Sequence, residues 1–208
     1  VIANRSVEFF DTQFRRQAAC GELALNPFER AALAHLSGRV IDIGCGLGNL
    51  ALAAAARGCE VLAVDASPAG IESLARRAAE SGAAVHAVLA DARELDPGAS
   101  FDAVVSIGLL MFFDCPTART LVRRWQGWVR PGGVMAVNVL VEGTTYLEMF
   151  DPSGHCLWKP EELEAVFRDW DPAFVSDEEF PAPRGTVKRF RTLIARKRGA
   201  ASSPIMAA

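Results

Sequence analysis

The stretch that most limits the fold is Arg-Val-Ile-Asp-Ile-Gly-Cys-Gly-Leu-Gly-Asn at residues 39–49. Val40, Ile41 and Ile43 make a short apolar run, the pattern of a buried strand. Gly44, Gly46 and Gly48 break it, and an alanine-rich helical pattern follows over residues 50–57. Strand, glycine turn and helix in that order open a βαβ nucleotide site. A side chain on those glycines would block close approach of a ligand to the backbone.

The spacing separates two ligand classes. Dinucleotide sites use G-x-G-x-x-G, with a helix N-terminus facing pyrophosphate. Here the spacing is G-x-G-x-G, and Asp42 stands two residues ahead of the first glycine. A carboxylate there repels a pyrophosphate and suits a ligand carrying an amino group and a sulfonium. Asp-Ile-Gly-Cys-Gly-Leu-Gly resembles the first motif of the class I S-adenosylmethionine (SAM)-dependent methyltransferases. The resemblance implies SAM as cofactor, with Asp42, Gly44, Cys45 and Gly46 at its amino-acid end. A ligand-free tight turn, a SAM-sensing module without catalysis and an NAD-dependent oxidoreductase stay open as alternatives.

At 208 residues the chain is expected to form one domain. Its net charge of −3 weighs against a general nucleic-acid binder. No apolar run spans a membrane and no signal-peptide pattern opens the chain. Cys20, Cys45, Cys59, Cys115 and Cys156 are odd in number and form no C-x-x-C pair, so a reduced, cytoplasmic setting is expected. His155 and Cys156 are adjacent, which is poor chelating geometry, and no metal is expected.

Residues 6–19 read as an amphipathic helix anchored by Phe9, Phe10 and Phe14, packed on the sheet edge or closing as a lid. Asn26-Pro27-Phe28-Glu29 is a helix start, with Asn26 capping and Glu29 completing a capping box. That helix is expected to run to about Leu36. A second strand, 60–64, ends at Asp65, where a fold of this kind grips a ribose, with Ala66 following. Ser67-Pro68 starts a helix that Gly82 stops. The third strand, 85–89, leads to Asp91 and Ala92. The resemblance implies that the acid meets the adenine amino group and the next backbone N–H meets the ring.

The fourth strand, 101–108, ends at the topological switch point. Ile107 and Leu109 are assigned to the cofactor side there. Met111, Phe112 and Phe113 form an apolar loop at the mouth of the cleft. A helix over 114–129 stops at Arg130-Pro131-Gly132-Gly133, and a fifth strand covers 134–140. Helix, Pro-Gly-Gly and strand resemble a second superfamily signature. A helix over 160–170 and strands at 174–179 and 188–196 complete the pattern, and 199–208 read as a flexible tail.

The expected fold is α/β: a Rossmann-like seven-stranded sheet, parallel but for one antiparallel C-terminal strand, in three α/β/α layers. Residues 1–38 are expected to form a helical cap and 39–198 the methyltransferase domain.

The segments Ile107-Gly108-Leu109-Leu110-Met111-Phe112-Phe113, Trp158-Lys159-Pro160-Glu161-Glu162-Leu163 and Phe190-Arg191-Thr192-Leu193-Ile194-Ala195-Arg196-Lys197 resemble the tellurite-resistance methyltransferases. That family tends to carry a His-Arg pair ahead of the last strand. Here Phe180-Pro181-Ala182-Pro183-Arg184 stands there, without His.

The resemblance implies methyl transfer by in-line displacement to a small soft or anionic acceptor, such as a tellurite- or selenite-like oxyanion or a thiol. Such an acceptor needs no proton removed, and no general base is named. Candidate acceptor-lining residues are Phe14, Met111, Phe112, Tyr146, Arg184 and Arg189. Alternation puts Arg189 and Arg191 on one strand face, where a guanidinium would hold an anion bidentately. The alternative is O- or N-methylation of a small organic metabolite, held by the aromatic loop and Tyr146. The expected partner is a small molecule, neither nucleic acid nor membrane, with the protein a monomer or homodimer.

Overall fold

The computed structural model describes residues 5–21, 23–151 and 154–199. Beyond Gly199, the expected tail lies outside the described residues. Seven strands form one sheet: β1 (Arg39–Ile43), β2 (Glu60–Asp65), β3 (Val85–Leu89), β4 (Phe101–Ile107), β5 (Val129–Leu140), β6 (Trp170–Pro181) and β7 (Val187–Lys197). Their order is β3-β2-β1-β4-β5-β7-β6. Strand β7 runs antiparallel to both β5 and β6, and the remaining pairs are parallel, as the sequence predicts. Among the described residues no helix is long and apolar enough to cross a membrane.

The helices are α1 (Arg5–Cys20), α2 (Pro27–Leu33), α3 (Asn49–Ala55), α4 (Pro68–Ser81), α5 (Cys115–Trp128) and α6 (Pro160–Val166). Side chains alternate across a strand, so a central strand covered on both faces must be apolar at nearly every position. Ile41 and Ile43 pack with Val104, Met135 and Val137 against Leu121, Val122 and Trp125 of α5 and Leu163 of α6. Val40, Val105 and Ala136 face the other way, onto Ala32 of α2, Leu50 and Ala54 of α3 and Leu74 of α4. This gives the three layers. Asp42 is the exception in β1: a carboxylate buried to 4 % exposure on the α2–α4 face.

The largest boundary differences from the sequence reading are at β5, at the junction of α6 and β6, and at α2. Strand β5 begins at Val129, so Arg130-Pro131-Gly132-Gly133 lies inside the strand and does not precede it. The register with β4 jumps from Phe101↔Val129 to Ala103↔Val134, which makes the segment a bulge. Gly133 is required there, since a Cβ would sit 2.8 Å from the Asp102 carbonyl oxygen. Helix α6 ends at Val166, because Trp170 is taken by β6, where it pairs with Lys197. Helix α2 ends at Leu33, short of Leu36.

The expectation of a fully reduced set of cysteines fails at one pair. Cys115 and Cys156 form a disulfide. Folding brings the start of α5 beside the segment ahead of α6 across 41 residues of chain, a closeness no local spacing reveals. Cys20, Cys45 and Cys59 are free.

Candidate active site

A cavity of about 370 Å³ opens outside the C-terminal ends of β1, β2 and β4. This is the switch point of the sheet, since β1 pairs with β2 on one side and β4 on the other. The glycine turn forms its floor. Gly44 and Cys45 both donate their N–H to the Val64 carbonyl, at 2.8 and 3.0 Å, which ties the turn to the end of β2. Gly46 adopts φ 53°, in the left-handed region that favours glycine. A Cβ on Gly46 would lie 2.8 Å from the Phe14 ring, so α1 rests directly on this bare backbone.

Asp65 joins the two βα turns. One carboxylate oxygen accepts from the Gly46 N–H and the other from the Ser67 N–H, each at 2.8 Å. Burial pushes its carboxyl up, and the N–H groups of Ser67 and Gly46 pull against that. Asp42 has no such support: among the described residues no hydrogen bond reaches its carboxylate. Burial first, then the negative charges of Glu29 and Asp65, push it up to about 8. The Cys45 thiol is pushed up by burial and by Asp42 and Asp65. Asp91, on the cavity wall, is held below the usual range by hydrogen bonds from Arg93, the shortest 2.6 Å.

Helix α1 is the roof. Val7, Phe10, Gln13, Phe14 and Gln17 recur at helical spacing and line the cavity. Phe9, expected as an anchor, is 48 % exposed; its ring meets Phe10 edge-on and takes no part in the lining. Asp11 fastens α1 to the start of α4, accepting from the Ser67 hydroxyl at 2.7 Å and the Ala69 N–H at 2.8 Å. The opposite wall is the 3-10 turn Leu110–Phe112 with its neighbours Leu109 and Phe113. Phe112 bridges the two sides, packing on Phe10 at 4.9 Å and on Phe150 at 5.2 Å.

Gly44, Cys45, Gly46, Asp65, Ala66, Asp91, Ala92, Ile107, Leu109, Phe14 and Phe112 all line the cavity. Asp42 lies in the strand leading to its floor. Four named residues are not brought there. Met111 is buried beneath the wall with Leu140 and Phe150. Tyr146 lies under the Lys188 ammonium, 5.8 Å away. Arg184 pairs with Glu148, and Arg189 with Glu179 at 2.7 Å. For Arg189 the cause is strand register: β6 sets Glu179 opposite Arg189 and Asp177 opposite Arg191, so acids across the ladder satisfy these two guanidiniums. Among the described residues no Arg, Lys or His lines the cavity.

The sequence reading missed two contributors. Glu29, read as a cap, also lines the cavity and acts on Asp42. Its register toward β1 depends on how α2 packs, and nothing local encodes that. Asp11 carried no signal beyond being an acid between two phenylalanines.

Residues 40–133 match the family model described as a methyltransferase domain. The chain is 30 % identical over 166 residues to the ubiquinone biosynthesis O-methyltransferase of Xanthomonas axonopodis pv. citri (strain 306), covering 70 % of this chain and 69 % of that one. It is also 30 % identical over 165 residues to the enzyme of the same name from Rhodopseudomonas palustris (strain BisB5), covering 73 % and 64 %. Among solved structures, TehB from Haemophilus influenzae superposes with TM-score 0.73 at 18 % identity, over 84 % of this chain and 63 % of that one. The N-methyltransferase NodS from Bradyrhizobium japonicum WM9, in complex with S-adenosyl-L-homocysteine (SAH), gives TM-score 0.67 at 18 % identity, over 90 % and 98 %. At those identities the likeness is one of fold.

Proposed function

Since the chain belongs to the class I SAM-dependent methyltransferases, we propose that it methylates an oxygen or nitrogen of a small, largely apolar organic molecule. The observation that carries this is the character of the acceptor wall. Val7, Phe10, Phe14, Leu109, Phe112 and Phe113 face the cavity, and no cation does among the described residues. A tellurite-like oxyanion would be desolvated there without a positive partner, at considerable cost. The guanidiniums assigned to it are paired with glutamates elsewhere. The O-methyltransferase names of the curated relatives lean the same way.

The cavity fits the cofactor by size, within the usual range of about 300–1,000 Å³, and by charge, since it offers carboxylates to a cationic ligand. When bound, SAM supplies a methyl group on a cationic sulfur, open to in-line displacement by an acceptor lone pair. In this reading Asp65 takes the ribose hydroxyls, with Ala66 beside it. Asp91 and the Ala92 backbone take the adenine. Asp42 and the turn Gly44-Cys45-Gly46 take the amino-acid end, flanked by Ile107 and Leu109. The protein aligns the reactants and excludes water, which can be worth up to about 7–11 kcal/mol. Phe10, Phe14 and Phe112 do the excluding. Residues 1–38 act as a cap whose α1 closes the site, and 39–198 as the catalytic domain.

The test is SAH release from SAM with a panel of phenols, catechols, aryl amines, tellurite and selenite. Turnover with an apolar phenol or amine is expected. Turnover confined to the oxyanions would overturn the acceptor assignment while leaving the family intact.

A further inference from the structure

Glu29 does two things, and the local fold needs only one of them. As the third residue of α2 it closes the capping box. Its N–H donates to Asn26 Oδ1, and its Oε2 accepts from the Asn26 N–H, both at 2.8 Å. The box occupies one carboxylate oxygen. Oε1 has no hydrogen bond among the described residues, and the side chain lines the cavity.

Glu29 lines the cavity whose floor follows Asp42 along β1, and its negative charge, ahead of that of Asp65, pushes the Asp42 carboxyl up. Asp42 is itself 4 % exposed and without a hydrogen-bond partner among the described residues. Two carboxyl groups therefore serve this cavity, Glu29 on its wall and Asp42 beneath its floor, and no cation lines it among the described residues. When empty, such a pair keeps a proton on Asp42, and a ligand that brings a positive charge can take that proton's place. A cap alone does not require it, since a glutamine at this position closes the box equally well.

We propose that Glu29, together with Asp42, seats the ammonium group of the cofactor's amino-acid end, which makes Glu29 a cofactor-binding residue as well as a helix cap. The inference rests on the reading of this cavity as the SAM site. It also gives the cap a use: the box fixes the Glu29 side chain in one rotamer, so little entropy is lost when the ligand arrives.

Glu29→Gln separates the two roles, because it keeps the capping box and removes the charge. The probes are SAH, which has the ammonium, and 5′-methylthioadenosine, which lacks the whole amino-acid end. Charged hydrogen bonds of this type predict that Glu29→Gln weakens SAH binding by roughly tenfold or more. Binding of 5′-methylthioadenosine and the melting temperature of the free protein stay at or above wild type.

A second readout is the pH profile. Asp42 is faced by Glu29 from α2, by Asp65 from β2 and by the Cys45 thiol in the turn. Removing the Glu29 charge moves the midpoint of pH-dependent SAH binding downward, which a purely structural cap would not do. Glu29→Asp keeps the charge one methylene farther back and binds SAH better than Glu29→Gln. Equal SAH affinity in wild type and Glu29→Gln overturns the proposal. Wild-type protein that binds neither ligand overturns the cofactor reading as well, so the two failures are distinguishable.

Discussion

If Asp42 takes the ammonium of the cofactor as proposed, cofactor binding is a proton-linked event. In the free protein its carboxyl is pushed from 3.8 up to about 8 by burial, then by Glu29 and Asp65. The folded protein therefore holds a proton that the unfolded chain gives up near its ordinary pKa. That contribution to stability is complete below about pH 4 and is lost as pH rises toward about 8. Binding of a ligand through its ammonium would run the other way, because in that reading the ammonium pairs with the ionised carboxylate. At about pH 6 roughly one Asp42 in a hundred is ionised, and ionising the rest costs about 2.7 kcal/mol; at about pH 8 the cost is about 0.4 kcal/mol. SAH affinity should therefore rise roughly fifty-fold between those pH values. The ammonium of a free amino acid keeps its proton across this range, so the slope belongs to the protein. Burial also pushes Glu29 up, which adds to the slope on the acid side. Calorimetry in buffers of different ionisation enthalpy should show about one proton released per SAH at the acid end. Asp42→Asn should bind SAH weakly and with little dependence on pH beyond what Glu29 leaves. A flat affinity in wild type, or a slope in Asp42→Asn as steep as wild type, would refute the argument.

Two further outcomes follow from groups outside the cavity. Arg189 is half-exposed and paired with Glu179, so Arg189→Ala should leave the KM of both SAM and acceptor unchanged in steady-state assays; a rise in acceptor KM would put the guanidinium back in the site. The Cys115–Cys156 bond closes a span of 41 residues, so its reduction, or Cys115→Ser, should cost about 3–4 kcal/mol and lower the melting temperature under phosphine relative to untreated protein.

What was legible in the sequence is what lies close in the chain or repeats with a period. The buried strands announced themselves as apolar runs, and the turn at 44–48 by glycines whose positive φ angles demand them. Asp65 was legible because a strand end after one βα unit has a fixed place relative to the first turn. The Asn26–Glu29 box spans four residues and formed as read. The failures share one cause. Arg189 meets Glu179 through the register of β6, Arg184 meets Glu148 from the segment after β5, and Tyr146 meets Lys188 of β7, all of them pairings made by tertiary placement. Cys115 and Cys156 are likewise joined by tertiary placement.

The charge balance of the cavity follows the same division, and it bears on the acceptor. Counted along the chain, the basic residues at 184–191 suggest an anion site. Counted in space, Glu148 pairs with Arg184, β6 pairs with Arg189 and Arg191, and the cavity is left with Glu29, Asp65 and Asp91 on its wall and Asp42 beneath. Such a site holds a cation well. It therefore attracts the sulfonium cofactor and disfavours a free oxyanion beside it, except where the bound cofactor's own charge offsets the acids. The apolar wall from α1 and residues 109–113 then decides the rest. In the reading proposed above, the acceptor is held mainly by ring faces and methyl groups, with Gln13 and Gln17 as the polar side chains of α1 on that wall, and its nucleophilic atom is aimed at the cofactor by shape instead of by a salt bridge. A lone oxygen or nitrogen on a flat organic molecule meets that requirement, because its apolar body can be gripped while its reactive atom points inward.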